Sequence, residues 1–244
     1  MALLRPFITV LCLCLLGTPS LAEPDFKFST AKKILERDIY QDEDERISFY
    51  CGCTYSDKKQ VNSASCGYEP RKNAKRGQRI EWEHVVPASR FGSYRACWQE
   101  GHPACTTSKG KAYKGRRCCT KVDPEFAMME ADLNNLVPAV GELNGDRSNY
   151  RMAILDGETR SYGACDFEID FAADLMEPDE PVRGDIARTY FYMQATYGLE
   201  LTQAEQDMFE QWRGSDPISE WELERNAKIQ AAQGNGNPYV GAGF

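Results

Sequence analysis

Histidine is scarce in this sequence, with 2 residues in 244, and any site built from three imidazoles is excluded. There is no G-x-S-x-G elbow, so a serine hydrolase lacks its nucleophile turn. Paired C-x-x-C motifs are absent too. The close cysteine spacings are C-x-C at Cys51 and Cys53 and C-C at Cys118 and Cys119, which argues against a zinc ribbon. After the N-terminal segment no apolar run approaches the roughly 20 residues that cross a bilayer, so no membrane anchor is expected. No internal repeat and no long low-complexity linker interrupt the chain. With 42% hydrophobic and 27% charged residues it has the material for a packed core, not for a disordered tail.

What is present begins with an export signal. Arg5 supplies a positive start, Phe7 to Leu16 a short apolar stretch, and Ser20-Leu21-Ala22 a small-x-small cleavage site. The expected division is therefore a signal peptide over 1–22 and one domain over 23–244, with a loose tail from about 234. Export implies an oxidising compartment, the periplasm or the medium. Two of the ten cysteines leave with the signal. The remaining eight, Cys51, Cys53, Cys66, Cys97, Cys105, Cys118, Cys119 and Cys165, read as a disulfide framework. The sequence leaves the pairing open, except that adjacent Cys118 and Cys119 fit disulfide geometry poorly with each other and should have separate partners.

The formal net charge of -8 hides an asymmetry. From Arg71 to Lys121 there are 13 Lys plus Arg and 3 Asp plus Glu, or +10. The rest of the mature chain has 15 basic and 34 acidic residues, or -19. One basic stretch in an acidic protein is the footprint expected for a phosphate polymer. A solvated loop would have the same composition. Both histidines, His84 and His102, fall inside the stretch.

Apolar spacing predicts helices over Phe28–Tyr40, with Ser29 or Thr30 as N-cap, Pro124–Ala131, Leu133–Leu143, Asp185–Tyr197, Thr202–Trp212 and Ser219–Ala232. Ser219 and Glu222 form the pattern of a capping box. Short strands are expected at Ile47–Tyr55 and at Arg79–Val86, the latter stopped by Pro87, and a loop over Thr106–Lys121. The fold class is mixed α+β, mainly helical, in a single disulfide-bonded domain.

Two short runs carry the candidate chemistry. The first is Glu81-Trp82-Glu83-His84-Val85-Val86-Pro87-Ala88. Histidine is the side chain best placed to take a proton near neutral pH, and a neighbouring carboxylate is a hard ligand for Mg²⁺. On a regular strand, however, Glu83 and His84 point to opposite faces, and a distortion before Pro87 is what could bring both to one cleft; taken alone, the pair fits a structural histidine equally well. The second run is Asp132 to Asn149. Asp132 reads as an N-cap and Asn144-Gly145 as a C-cap or turn. Asn134 and Asn135, side by side, are not explained by capping, and the amide oxygen of one of them suits a hydrated Mg²⁺ as second ligand.

Glu-Trp-Glu-His-Val-Val-Pro-Ala at 81–88, Asp-Leu-Asn-Asn-Leu at 132–136 and Asn-Gly-Asp-Arg-Ser-Asn at 144–149 together resemble the bacterial endonuclease I family, and the motifs stand in the family's order. The resemblance implies a ββα-metal (His-Me finger) active site and Mg²⁺-dependent hydrolysis of DNA, and of RNA, leaving 5′-phosphates. It further implies a monomer, His84 as general base, and Glu83 and Asn135 as the two protein ligands of the metal. The family's phosphate-contacting Arg has no match in the loop Cys97 to Cys105. Lys114, Arg116 or Arg117 are the expected substitutes, with Arg95 as the further candidate. Without the resemblance, a secreted nucleic-acid-binding protein without catalysis, or another metal-dependent phosphodiesterase, would account for the basic stretch.

Overall fold

The centre of the molecule is a two-stranded hairpin between two apolar cores. The computed structural model describes residues 26–157 and 159–241; the expected signal peptide and its cleavage after Ala22 lie outside the described residues. β1 (Ile80–His84) pairs antiparallel with β2 (Leu136–Val140), placing Glu83 opposite Val137 and His84 opposite Leu136. Strand side chains alternate between faces, and the packing follows. Ile80, Trp82 and Leu136 join a core with Ala31, Leu35 and Ile39 of the N-terminal helix. Val85, Val137 and Ala139 join a larger core with Phe91, Phe126, Ile186 and Tyr190.

The second strand corrects an expectation. The run Leu133–Leu143 is not one buried helix. It folds as a 3-10 turn, Leu133–Asn135, then β2, then α7 (Gly141–Arg147). A short continuous apolar run reads alike as buried strand and buried helix. Pro138 decides against the helix, where it would remove an internal hydrogen bond, and sits opposite Trp82 in a sheet of only two strands. Asp132 caps the 3-10 turn by accepting the Asn134 N–H at 2.9 Å, as expected of an N-cap. Asn144-Gly145 lies inside α7, not at a helix end.

Around the hairpin the elements follow in chain order. α1 (Phe28–Ile34) runs into a π turn, Leu35–Ile39, and starts after Lys27 with no side-chain cap, so neither Ser29 nor Thr30 serves. Ile47–Tyr55 is a turn closed by the bridge Ile47–Thr54, not a strand, because Cys51 and Cys53 are drawn to different partners. α2 (Ala74–Gly77), α3 (Ala88–Gly92) and α4 (Ala96–Gln99) are single turns. The expected loop Thr106–Lys121 ends in a helix, α5 (Arg116–Val122), which is followed by α6 (Pro124–Ala131). A small sheet in the order β3, β5, β4 comprises Arg151–Met152, Leu175–Pro178 and Phe167–Asp170. α8 (Arg183–Tyr197), α9 (Gln203–Ser215) and α10 (Glu220–Gln233) complete the fold, the last two with full capping boxes at Thr202 and Ser219.

All eight cysteines are paired: Cys51–Cys165, Cys53–Cys66, Cys97–Cys119 and Cys105–Cys118. Cys118 and Cys119 do take separate partners. Of the expected loose tail, the segment from Asn237 to Val240 is packed on the domain. Asn226 donates to the carbonyls of Asn237 and Val240 at 3.1 and 2.8 Å, and Asn237 donates to that of Arg188 at 3.1 Å. No helix among the described residues is long and apolar enough to cross a membrane.

Candidate active site

Register places the motif residues. Glu83 leaves β1 on the side of the larger core, where the Tyr50 hydroxyl donates to it at 3.2 Å and Arg147 pairs with it at 3.2 Å. Asn135 stands just before β2. Its main-chain carbonyl accepts the Val85 N–H at 3.0 Å, which extends the ladder by one rung. Counting along that ladder, Asn135 lies on the same face as Val137 and hence as Glu83, one diagonal step away. Its side chain is locked to Val86: the amide oxygen accepts the Val86 N–H at 2.7 Å and the amide nitrogen donates to the Val86 carbonyl at 3.0 Å. Asn134 turns toward Asp132, to which its amide donates at 3.2 Å. The two adjacent asparagines thus serve different surroundings.

His84 leaves the strand on the other face: β1 keeps regular pairing through it, and the chain bends before Pro87 only at Val85–Val86, after both motif residues. Its ring packs on Phe28 of α1 at 5.0 Å between centroids. Its Nε2 lies 2.8 Å from the main-chain oxygen of Glu130. A carbonyl oxygen can only accept, so Nε2 carries the proton and Nδ1 keeps its lone pair. Burial and the nearby Arg116 cation push the imidazole down to about 3. Burial pushes the Glu83 carboxyl up to about 7, against the opposing pull of Arg147 and Tyr50. Both groups feel Arg116 as well as Arg147, so the two faces of the hairpin end meet around the same pair of cations.

Those cations differ in what they hold. Arg147, at 1% exposure, is committed: beside Glu83 it donates to the carbonyls of His84 at 3.0 Å and Val85 at 2.6 Å. It locks the strand end that carries both motif residues. Arg116, at the first turn of α5, is half exposed and lies over the Phe28 ring at 5.2 Å. Its Nε donates to the Glu130 carboxylate at 2.5 Å, and its two terminal nitrogens take no partner among the described residues.

The other basic candidates stand apart from this arrangement. Arg95 is held by Asp123 at 2.8 Å and Glu125 at 3.0 Å, which neutralises it. Lys114 donates to the Gln99 carbonyl at 2.8 Å, and Arg117 stacks on Tyr113 at 4.3 Å. His102 accepts the Ala104 N–H at 3.1 Å in an exposed loop. Sequence reasoning missed Glu130, Tyr50 and Phe28, and it quoted Arg147 only as part of a motif. Among the described residues no group of three His, Cys, Asp or Glu side chains is placed to hold a metal.

The sequence pattern of the Endonuclease I family matches residues 22–243. The chain belongs to the endonuclease I family. An extracellular deoxyribonuclease of Aeromonas hydrophila is 42% identical over 240 residues, 97% of each chain. A periplasmic deoxyribonuclease of the same species is 43% identical over 239 residues, 96% of this chain and 94% of that one. Endonuclease-1 of Buchnera aphidicola subsp. Acyrthosiphon pisum is 45% identical over 196 residues, covering 79% and 73%. Family membership thus rests on nearly the whole mature chain and not on the two short motifs alone.

Proposed function

We propose that this chain is an exported endonuclease that hydrolyses phosphodiester bonds of DNA and RNA without sequence preference, using Mg²⁺ and leaving 5′-phosphates. The observation that carries the reading is the His84–Glu130 hydrogen bond, which leaves Nδ1 as the basic atom of a neutral imidazole. The names of the relatives supply the substrate class and the exported location. We assign β1, β2 and α7 as the ββα unit, since α7 follows β2 directly and its Arg147 reaches back to β1.

The oxygens present suit Mg²⁺. Glu83 offers a carboxylate and Asn135 an amide oxygen that has given only one of its two lone pairs to Val86. Magnesium keeps most of its waters and takes one or two protein groups. When bound there, the ion supplies positive charge to the phosphate and to the departing 3′-oxygen. The remaining work falls to the protein. His84 takes the proton of the attacking water at Nδ1. Arg116 offers its terminal nitrogens to the phosphate oxygens.

Plasmid nicking tests the reading. Supercoiled DNA should be nicked with Mg²⁺ and left intact with EDTA, and His84→Ala should be slower by about 10²–10⁴-fold with DNA binding retained. Full activity in EDTA refutes the metal. A His84→Ala rate close to that of the parent removes His84 from the mechanism.

A further inference from the structure

Asn135 belongs to a turn with little structure of its own. The 3-10 turn Leu133–Asn135 is three residues long and hangs between Asp132 and β2. Its position is imposed from outside, by α10, which meets it across 89 to 101 residues of sequence. At the end of α10, the Gln233 amide oxygen accepts the Leu133 N–H at 2.7 Å, and its amide nitrogen donates to the Asp132 carboxylate at 2.9 Å. About two helical turns earlier, Nη2 of Arg225 donates to the Leu133 carbonyl at 2.9 Å and to the Leu136 carbonyl at 2.8 Å. β2 has no strand on its outer edge, so the Leu136 carbonyl needs another donor, and Arg225 is that donor. Asn134 and Asn135 are thus bracketed, with the main chain held by α10 before them and after them. Asp132, fully buried, also accepts the Tyr192 and Tyr197 hydroxyls at 2.6 Å each, and Asn235, just beyond α10, donates to Tyr192 at 2.7 Å. Neither Arg225 nor Gln233 stands in a motif that marks the family resemblance.

We propose that Arg225 and Gln233 are positioning residues: α10 clasps the turn that presents Asn135 and so sets the separation of Asn135 from Glu83. Mg²⁺ affinity then depends on a helix that supplies no ligand to the ion. This rests on the proposed ligand roles of Glu83 and Asn135. Mg²⁺ demands near-ideal octahedral geometry, so a small displacement of one ligand is costly. The Asn135 side chain is tied to Val86 on the β1 side, and α10 ties its main chain on the other. With one tie cut, the turn is free to shift against β1.

The test is calorimetric titration of the metal-free protein with Mg²⁺, in the parent and in Gln233→Ala, Arg225→Met, Asn135→Ala and Glu222→Gln, with each thermal midpoint measured in EDTA. Gln233→Ala and Arg225→Met should each weaken Mg²⁺ binding about 10- to 100-fold, the usual cost of losing a group that orients a ligand. Glu222→Gln is the control for general loosening. Glu222 holds Arg188 at 2.7 and 2.6 Å from the same helix and makes no hydrogen bond to the turn, so its loss should lower the midpoint and leave Mg²⁺ affinity unchanged. An equal fall in affinity in Glu222→Gln would mean that any weakening of α10 has this effect, and it overturns the proposal. Parental affinity in both Gln233→Ala and Arg225→Met overturns it as well, when Asn135→Ala has lost the ion. If Asn135→Ala keeps the ion, the metal site itself is misassigned and the proposal falls with it. Should Arg225→Met or Gln233→Ala fail to fold, Gln233→Met fills the space of the glutamine without its hydrogen bonds, and parental affinity in that variant overturns the proposal.

Discussion

At the scale of single residues, two neighbours of identical chemistry do different work. Asn134 and Asn135 are both buried, but only Asn135 faces the Glu83 side of the hairpin. Asn135→Ala should abolish most Mg²⁺ binding. It should also lower stability by about 1–3 kcal/mol, because the Val86 N–H and carbonyl lose their partner in a buried place. Asn134→Ala should leave Mg²⁺ affinity nearly unchanged. Calorimetric titration of each variant, with a urea melt beside it, decides the register: loss of metal in Asn134→Ala and retention in Asn135→Ala would shift it by one. His84, Glu83 and Asn135 could be named as candidates from the sequence because they sit in contiguous motifs. Glu130 and Arg147 were not, since their meaning comes from contacts 46 and 63 residues away in the chain. A buried arginine in a helix sequence looks like a surface arginine until the strand it braces is in view.

At the scale of elements, helices with caps and clear apolar spacing were read almost to the residue, Pro124–Ala131 and the Ser219-capped α10 among them. The strand β2 was misread because burial on both faces erased its alternation. What holds α7 behind that strand is a carboxylate staple. Glu142 accepts the Tyr68 hydroxyl at 2.6 Å and the N–H groups of Arg71 at 3.0 Å, Lys72 at 2.7 Å and Asn73. Burial alone would raise its pKa, but these hydrogen bonds outweigh it and hold the carboxyl below the usual glutamate range. A folded pKa below the unfolded one adds stability that is complete above the unfolded value and is lost as pH falls through the folded value. Glu142→Gln should therefore cost about 1.5–3 kcal/mol at pH 7. The gap to the parent should narrow as pH drops below about 4. Urea midpoints of both proteins at several pH values check this. A gap that stays constant down to pH 3 would mean that the charge of Glu142 contributes nothing and only its shape matters.

At the scale of the whole molecule, the basic stretch divides once its partners are known. Arg71, Arg76, Arg79, Arg90, Arg95 and Arg116 are paired with carboxylates. Those pairs fasten the stretch to the acidic remainder of the protein, so much of the +10 counted in sequence is spent inside the fold. Lys72, Lys75, Lys109, Lys111, Lys114, Arg117 and Lys121 are exposed and have no carboxylate partner among the described residues. Three of them, Lys109, Lys111 and Lys114, lie on the loop that leads into α5, and a fourth, Arg117, follows Arg116 in its first turn. In the proposed reading these four hold phosphates on one side of the bond being cut. Each phosphate contact contributes about 0.9 to the slope of log affinity against log salt. Replacing these four with alanine should flatten that slope by about 3–4 units. Cleavage should weaken to the same extent on DNA of any sequence, because phosphate contacts read no bases. Arg116, held by Glu130 and half withdrawn from solvent, should behave in the opposite way: its loss lowers turnover more than it changes the salt slope. Binding measured against salt in EDTA, so that nothing is cut, separates the two classes. If the four-residue variant keeps the parental slope, the loop is a solvated surface and DNA enters the site from elsewhere.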